Sequence, residues 1–571
     1  MKHFFAALLL LCAPGVFAGA GDLIPFYTVE VAVDCGTPEK AAKSSLTFLP
    51  RPRGKRAAFS CRWDDSSLTH LRTLALMKKH GYKGTFYLTD TRRPGFWEKV
   101  FPQLHRDGFT VGNHTSGHQE LPLMTPEGIH REILLWNIML ECRAQQPVTL
   151  LVIPYGKIRS PWIPGVPELI GRTIRSTGLI GGADISPVLY KQYGLKESEF
   201  FTPRLIAPGD VDPSFERFET QIRRHLASGP FPYITLGIHS LHTDAGLKEL
   251  GRALEKYGRD PQWWYCNAND YSAYRFMALN SCVKGKKVKG AKAVFTVKLP
   301  SPVFLGSNTP LWGACAGKIF PIPHTKKMPE KFFLAGKNGS IPGLPDVTVA
   351  FTSAGEGKFL CTLRNTGAPL ENVTLTLRLP PGFKQPFCRQ QTTGITGEQK
   401  FQWELRRSAP ASAGTQELAA LSVDFTCKGK QIRVWSVWEK ETKKLISDRK
   451  LYISMKNFSA EELKELSAAK GALPKGFVPV KHLPDWRNDA WRIRLPRKSD
   501  VGKKITCVLE FTTSGNVTPK GNFPPQLFFE GRALKVSGGV LKCSGKKSRL
   551  VFTLPGQRRV GGNWYFHLEQ K

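Results

Sequence analysis

Phe109-Thr110-Val111-Gly112-Asn113-His114-Thr115-Ser116-Gly117-His118 joins a short β-forming run to two histidines four residues apart. Other apolar runs end in the same way. Ala57-Ala58-Phe59-Ser60-Cys61 leads into Arg62-Trp63-Asp64-Asp65-Ser66, Val148 to Ile153 into Pro154-Tyr155, and Tyr233 to Ile238 into His239. Between them lie helical patterns. Leu71, Leu74 and Met77 share one face of a helix ending near His80 and Gly81. Gly84-Thr85-Phe86-Tyr87-Leu88 is a further strand, and a helix spans about Phe96 to Arg106. Thr125-Pro126-Glu127 opens another helix, with Thr as N-cap and Pro in the first turn. Its Ile129, Ile133, Trp136 and Leu140 form an apolar stripe, read as core. Trp263 to Cys266 is the last strand of the series. Alternation of strands and helices predicts a parallel sheet. Reactive residues at the C-terminal ends of different strands are what a parallel β/α barrel gathers into one site.

The two histidines suggest a metal centre. One helical turn would put residues i and i+4 on one face, so His114 and His118 could point at a single ion. Asp65 could complete a set of two histidines and one carboxylate, which leaves positions open for water and substrate. Asp64, beside that ligand, would then be free to act as a base. Each piece also has a plainer reading. Two histidines on a surface helix need bind nothing, and Asp64 and Asp65 could cap the helix that follows them.

In this order the residues resemble the polysaccharide deacetylase, or NodB-homology, family of carbohydrate esterases, over about residues 50–280. Its first motif, T-F-D-D-G, is similar to Arg62-Trp63-Asp64-Asp65-Ser66. Its H-[ST]-x-x-H motif is matched in full by His114 to His118, with Asn113 before it. Its R-x-P-Y motif is matched in part by Val152-Ile153-Pro154-Tyr155, and its L-x-x-H motif by Leu236-Gly237-Ile238-His239. The resemblance implies a distorted β/α barrel. It implies that Asp65, His114 and His118 bind a divalent metal, commonly zinc, and that Asp64 is the base. The backbone N–H of Tyr155 would hold the oxyanion and His239 would protonate the leaving group. The chain departs from the pattern where Val152 replaces the arginine that orients the base and Ser66 replaces glycine. Arg62, two residues before Asp64 on an extended strand, shares its face and is a candidate substitute, though it could equally face solvent. Asp184 and Asp270 are candidate partners for His239, and Asp270 could instead belong to a helix cap.

The remaining sequence suggests several domains. A length of 571 residues exceeds one core. Residues 1–20 read as a secretory signal peptide, with Lys2 and His3 before an apolar run and small residues near Ala18 and Ala20. A lead-in at 21–50 precedes the barrel at 51–282. A connector rich in Pro and Gly, with little regular structure, is expected at 283–346. From Val347 the pattern has period two, as in Val373-Thr374-Leu375-Thr376-Leu377-Arg378-Leu379, which predicts a β-sandwich at 347–455. A short helix near Ser459 to Lys470 leads into a β-rich domain over 456–571. That domain's Trp486, Trp491 and Trp564 could stack on sugars or pack in its core. All-β, sandwich-like C-terminal domains are thus expected after the barrel.

The net charge of +36 is spread along the chain, apart from Lys284-Gly285-Lys286-Lys287-Val288-Lys289. Joined to a signal peptide, that spread argues against nucleic acid as partner. An anionic wall polymer, membrane surface or acidic glycan fits better, unless the charge only solvates the surface. The twelve cysteines are scattered and include no C-x-x-C pair, which argues against a cysteine zinc site and a dense disulfide scaffold. Once exported, the chain could carry disulfides, with an odd thiol left over once Cys12 is removed with the signal peptide. H-E-x-x-H, the mark of many zinc peptidases, is absent. Two functions follow as expectations: a secreted or periplasmic deacetylase of an acetylated polysaccharide or envelope glycan, or a degenerate glycan-binding protein that keeps the barrel as scaffold.

Overall fold

A computed structural model describes residues 23–90, 95–158, 165–183, 200, 205–206, 214–227, 232–237, 239, 243–409, 416–441, 446–468, 472–483, 490–494, 503–513, 526–529, 532–535, 547–554 and 563–567. The segment expected as a signal peptide, 1–20, lies outside them. The described chain opens with β1 (Phe26–Asp34) and the two-residue β2 (Thr47–Phe48). The strands of the central sheet follow: β3 (Ala57–Asp64), β4 (Gly84–Leu88), β5 (Thr110–Asn113), β6 (Leu150–Val152), β7 (Gly181–Ala183), β8 (Leu205–Ile206), β9 (Tyr233–Leu236) and β10 (Trp263–Tyr265).

These eight strands form one parallel sheet in the order β7-β6-β5-β4-β3-β9-β8, with β10 also against β3. Every residue of β3 and β4 is buried, as expected for parallel strands covered on both faces. Phe59, Trp63, Phe86, Val111, Trp136 and Leu254 belong to one core beneath the helices. The sheet is a curled half-barrel whose ends, among the described residues, are β7 and β8. The helix at Pro126–Ala144 starts where the sequence predicts: Thr125 caps it by accepting from Gly128 N at 3.0 Å.

The expected connector is structured. Residues 283–346 carry most of β11 (Cys282–Lys289), then β12 (Lys292–Pro300), β13 (Leu311–Cys315), β14 (Lys318–Ile322) and β15 (Lys331–Leu334). β12 pairs antiparallel with both β1 and β11, and β13 pairs with both β14 and β2. The lead-in and the connector therefore build two small sheets around a shared core that includes Val31, Val33, Phe295, Leu299, Leu311 and Ile322. Ala293, Phe295, Val297 and Leu299 are buried at period two, a signal that the surrounding lysines, glycines and prolines obscure.

β16 (Val347–Gly355), β17 (Lys358–Arg378), β18 (Phe387–Glu404), β19 (Gln416–Cys427) and β20 (Lys430–Glu441) confirm the strand-rich expectation from Val347 onward. With β15 they form one six-stranded sheet rather than the two facing layers of a sandwich. The long β17 explains this. Its first half pairs with β16 and its second with β19, with a register break between Asn365 and Leu370, so the sheet bends around a single core. Beyond the Ala460–Ala468 helix the described strands form a four-stranded sheet, which also takes in Ile446–Ser454, and a five-stranded sheet. Trp486 lies outside the described residues, and the side chains of Trp491 and Trp564 are not among those described.

Candidate metal centre at the C-terminal ends of the strands

Three of the predicted residues converge. Asp65 leaves the end of β3, and His114 and His118 lie in the loop after β5. Each offers a ligand atom, and these atoms all lie within 4.8 Å of one another. Asp65 Oδ1 is 3.6 Å from His114 Nε2 and 3.4 Å from His118 Nε2. No helical turn brings the histidines together, contrary to the i, i+4 argument. The backbone instead turns twice into the left-handed region, at Thr115 (φ 59°) and His118 (φ 52°), and the rings meet edge to face. The capping alternative for the carboxylates also fails. Thr69 occupies the N-cap of the helix that follows.

The loop is held by polar contacts. Asn113 Oδ1 accepts from Thr115 N at 2.8 Å, while its amide donates to Ile133 O at 2.8 Å. Glu132 Oε2 accepts from Gly117 N at 2.7 Å. His114 N donates to Leu88 O at 3.0 Å, tying the loop to β4. His114 Nδ1 lies 2.8 Å from the Val152 carbonyl oxygen, which can only accept. The proton therefore sits on Nδ1, and the Nε2 lone pair faces Asp65. That is the state a metal ligand needs, with the opposite nitrogen fixed by a carbonyl. His118 Nδ1 lies 3.3 Å from the Tyr155 hydroxyl. Two imidazole nitrogens and a carboxylate oxygen form a donor set suited to a divalent ion such as zinc.

Asp64 stands beside this set and is not one of its three donors. It is buried with Arg62, whose Nε donates to Oδ1 at 2.8 Å and whose Nη2 donates to Oδ2. The guanidinium also packs near the Tyr87 ring. Arg62 thus grips both oxygens of Asp64, from a position two residues upstream on the same strand face. Ser66, in the place of glycine, bridges to β4: its Oγ donates to Thr89 O at 2.7 Å and accepts from Thr89 N at 3.1 Å. Sequence reasoning missed His70, whose Nε2 is 2.8 Å from the Asp65 carbonyl oxygen. A lone histidine at the start of a helix carries no signal that would single it out.

Tyr155 follows β6 in a tight turn, with φ 60° and 63% of its surface exposed. Its ring lies against His118 at the mouth of the site. His239 is half-buried beyond the C-terminal end of β9. Gly237, two residues before it, has φ 97°, and a Cβ there would lie 2.4 Å from Arg62 O, so glycine is what lets β9 run this close to β3. Asp184 lies outside the described residues. Asp270 is remote from these residues. It accepts from Ser307 Oγ at 2.6 Å and Asn267 Nδ2 at 2.9 Å, in a pocket shared with Thr110 and Pro147 at the opposite, N-terminal end of the strands. Asn267 is the N-cap of the Ala268–Asn280 helix, and Asp270 completes that cap instead of partnering His239.

Parallel sheet, strand-end cluster and metal-ligand geometry define the class: a β/α protein with a candidate hydrolytic metal centre. Residues 54–165 match the family described as polysaccharide deacetylase. The matched stretch contains Asp64, Asp65, His114, His118 and Tyr155 but ends before His239. No curated protein sequence matches the chain. Similar solved structures include a putative polysaccharide deacetylase from Mycobacterium smegmatis (12% identity, 40% of this chain and 92% of that one, TM-score 0.31). The peptidoglycan deacetylase PdaC from Bacillus subtilis is another (16% identity, 39% and 91%, TM-score 0.24). A mutant of a CE4 family pseudoenzyme is a third (17% identity, 39% and 71%, TM-score 0.25).

Proposed function

We propose that this chain is a secreted, metal-dependent carbohydrate deacetylase that hydrolyses N- or O-acetyl groups of a polysaccharide or envelope glycan, with a distorted β/α barrel as its catalytic part. The observation that carries the reading is the convergence of Asp65, His114 and His118 beside a carboxylate that is not needed as a ligand. A protein that only bound glycan would have no use for Asp64 held in place by Arg62. Asp65 Oδ1 and the Nε2 atoms of both histidines would hold the ion, which when bound supplies a Lewis acid at that point. Asp64 accepts the proton of the attacking water, and Arg62 fixes the direction of its lone pairs. The backbone N–H of Tyr155 donates to the developing oxyanion. His239 donates a proton to the departing amine or alkoxide. The strong positive charge favours an anionic glycan as substrate.

The test is acetate release from a panel of acetylated glycans, including peptidoglycan, chitin fragments and acetylated plant glycans. Activity that chelator abolishes and zinc restores supports the reading. Glycan binding without acetate release on any member would instead establish the scaffold alternative.

A further inference from the structure

Asp64 and Asp65 are consecutive, and on an extended strand their side chains would leave on opposite faces. Asp64 is still in β3, against Arg62. Asp65 has φ 66°, in the left-handed region that non-glycine residues rarely occupy. This turn carries its carboxylate toward His114 and His118. Such a conformation persists only where neighbours over-determine it.

His70 is such a neighbour. Its Nε2 is 2.8 Å from Asp65 O, and because a carbonyl oxygen only accepts, that nitrogen carries the proton. The ring is fully buried and meets Phe86 and Phe96 edge to face, so its position is fixed from behind. On the far side of the turn, Ser66 is pinned to Thr89. The Asp65 backbone is thus clamped between a rigid donor on the following helix and the end of β4.

We infer that His70 is a positioning residue of the metal centre: its Nε2–H holds the Asp65 carbonyl and so fixes the left-handed turn that aims the Asp65 carboxylate at the two histidines. This rests on the metal reading proposed above. His70 touches neither substrate nor ion, and acts through Asp65.

The experiment measures Zn²⁺ and Co²⁺ binding by calorimetry, and the visible spectrum of the Co²⁺ form, on the full chain. His70→Phe keeps the aromatic packing and removes the donor, and His70→Gln returns an N–H at the end of a flexible arm. We expect His70→Phe to fold, to bind Zn²⁺ about 10-fold or more weakly, and to shift the Co²⁺ ligand-field bands. His70→Gln should recover most of that loss. If His70→Phe does not fold, His70→Met and His70→Gln make the same comparison without and with a donor. Unchanged affinity and spectrum in the donor-free variant would overturn the inference, as would equal loss in both variants. A wild-type chain that binds neither ion would overturn the metal reading itself, whereas normal wild-type binding with a silent His70→Phe sinks only the role of His70.

Discussion

Arg62 and Asp64 form a buried ion pair, and its worth lies in direction more than in strength. A buried pair contributes little net stability, but removing one partner costs about 3–5 kcal/mol because the other charge is stranded. Arg62→Ala would therefore confound stability with catalysis. Arg62→Lys keeps the charge and loses the two-pronged grip on both carboxylate oxygens. We predict that it lowers kcat by about 10-fold or more while zinc content, measured by atomic absorption, stays at the wild-type level. His239→Ala should lower turnover by about 10²–10⁴-fold with metal content again unchanged. Metal loss in that variant would make His239 a ligand and end its assignment as an acid. At this scale the convergence of Asp65, His114 and His118 was legible, because two histidines and a double carboxylate each follow a strand-forming run. The means of convergence was not. Helical spacing suggested one face of a helix, whereas left-handed turns at Asp65, Thr115 and His118 do the work. A positive φ at a non-glycine residue leaves no mark in the sequence.

The Pro126–Ala144 helix shows the same limit for a whole element. Its cap, its first-turn proline and its stripe of Ile129, Ile133, Trp136 and Leu140 are as the sequence predicts. Its opposite face is buried too. Leu134 and Ile138 pack on Leu418, Ala420 and Trp435 of the second curled sheet. A helix read against one core shows one stripe, and the partner on its other side lies nearly 300 positions away in sequence. The helix also carries Glu132, whose carboxylate accepts from Gly117 N in the histidine loop. Glu132→Ala leaves that amide without its acceptor. We predict about 10-fold weaker zinc binding by competition with a chromogenic chelator, with the helix itself intact by circular dichroism. Wild-type affinity in this variant would show that Asn113 and the strand ends suffice to set the loop.

Across the whole molecule, that helix joins the two curled sheets through buried charge. Glu141 accepts from Trp435 Nε1 at 2.8 Å and from Val148 N at 3.1 Å, and lies 3.5 Å from Arg433, which also donates to Asp424 at 2.7 Å. Arg131 pairs with Glu439 nearer the surface. The second sheet is therefore tied to the parallel sheet through this helix. His130 lies at the same junction. Burial pushes its pKa down to about 4, and a hydrogen bond with the Leu418 backbone only partly opposes this. The sign follows from linkage. The folded state holds His130 neutral while the unfolded chain protonates near its ordinary value of 6.5, so the unfolded state binds more protons between these values. The contribution of His130 is complete above about pH 6.5, shrinks as pH falls, and is lost by about pH 4, a change on the order of 3 kcal/mol. We predict that amide protection factors in β19, β20 and the Pro126–Ala144 helix, taken relative to the intrinsic exchange rate at each pH, fall between pH 6.5 and 4.5, ahead of those in the core around β3 and β4. His130→Gln should be less stable at neutral pH, having lost its fitted packing, but should lose less further protection over that interval. Equal acid sensitivity in the variant would show that His130 is not its cause.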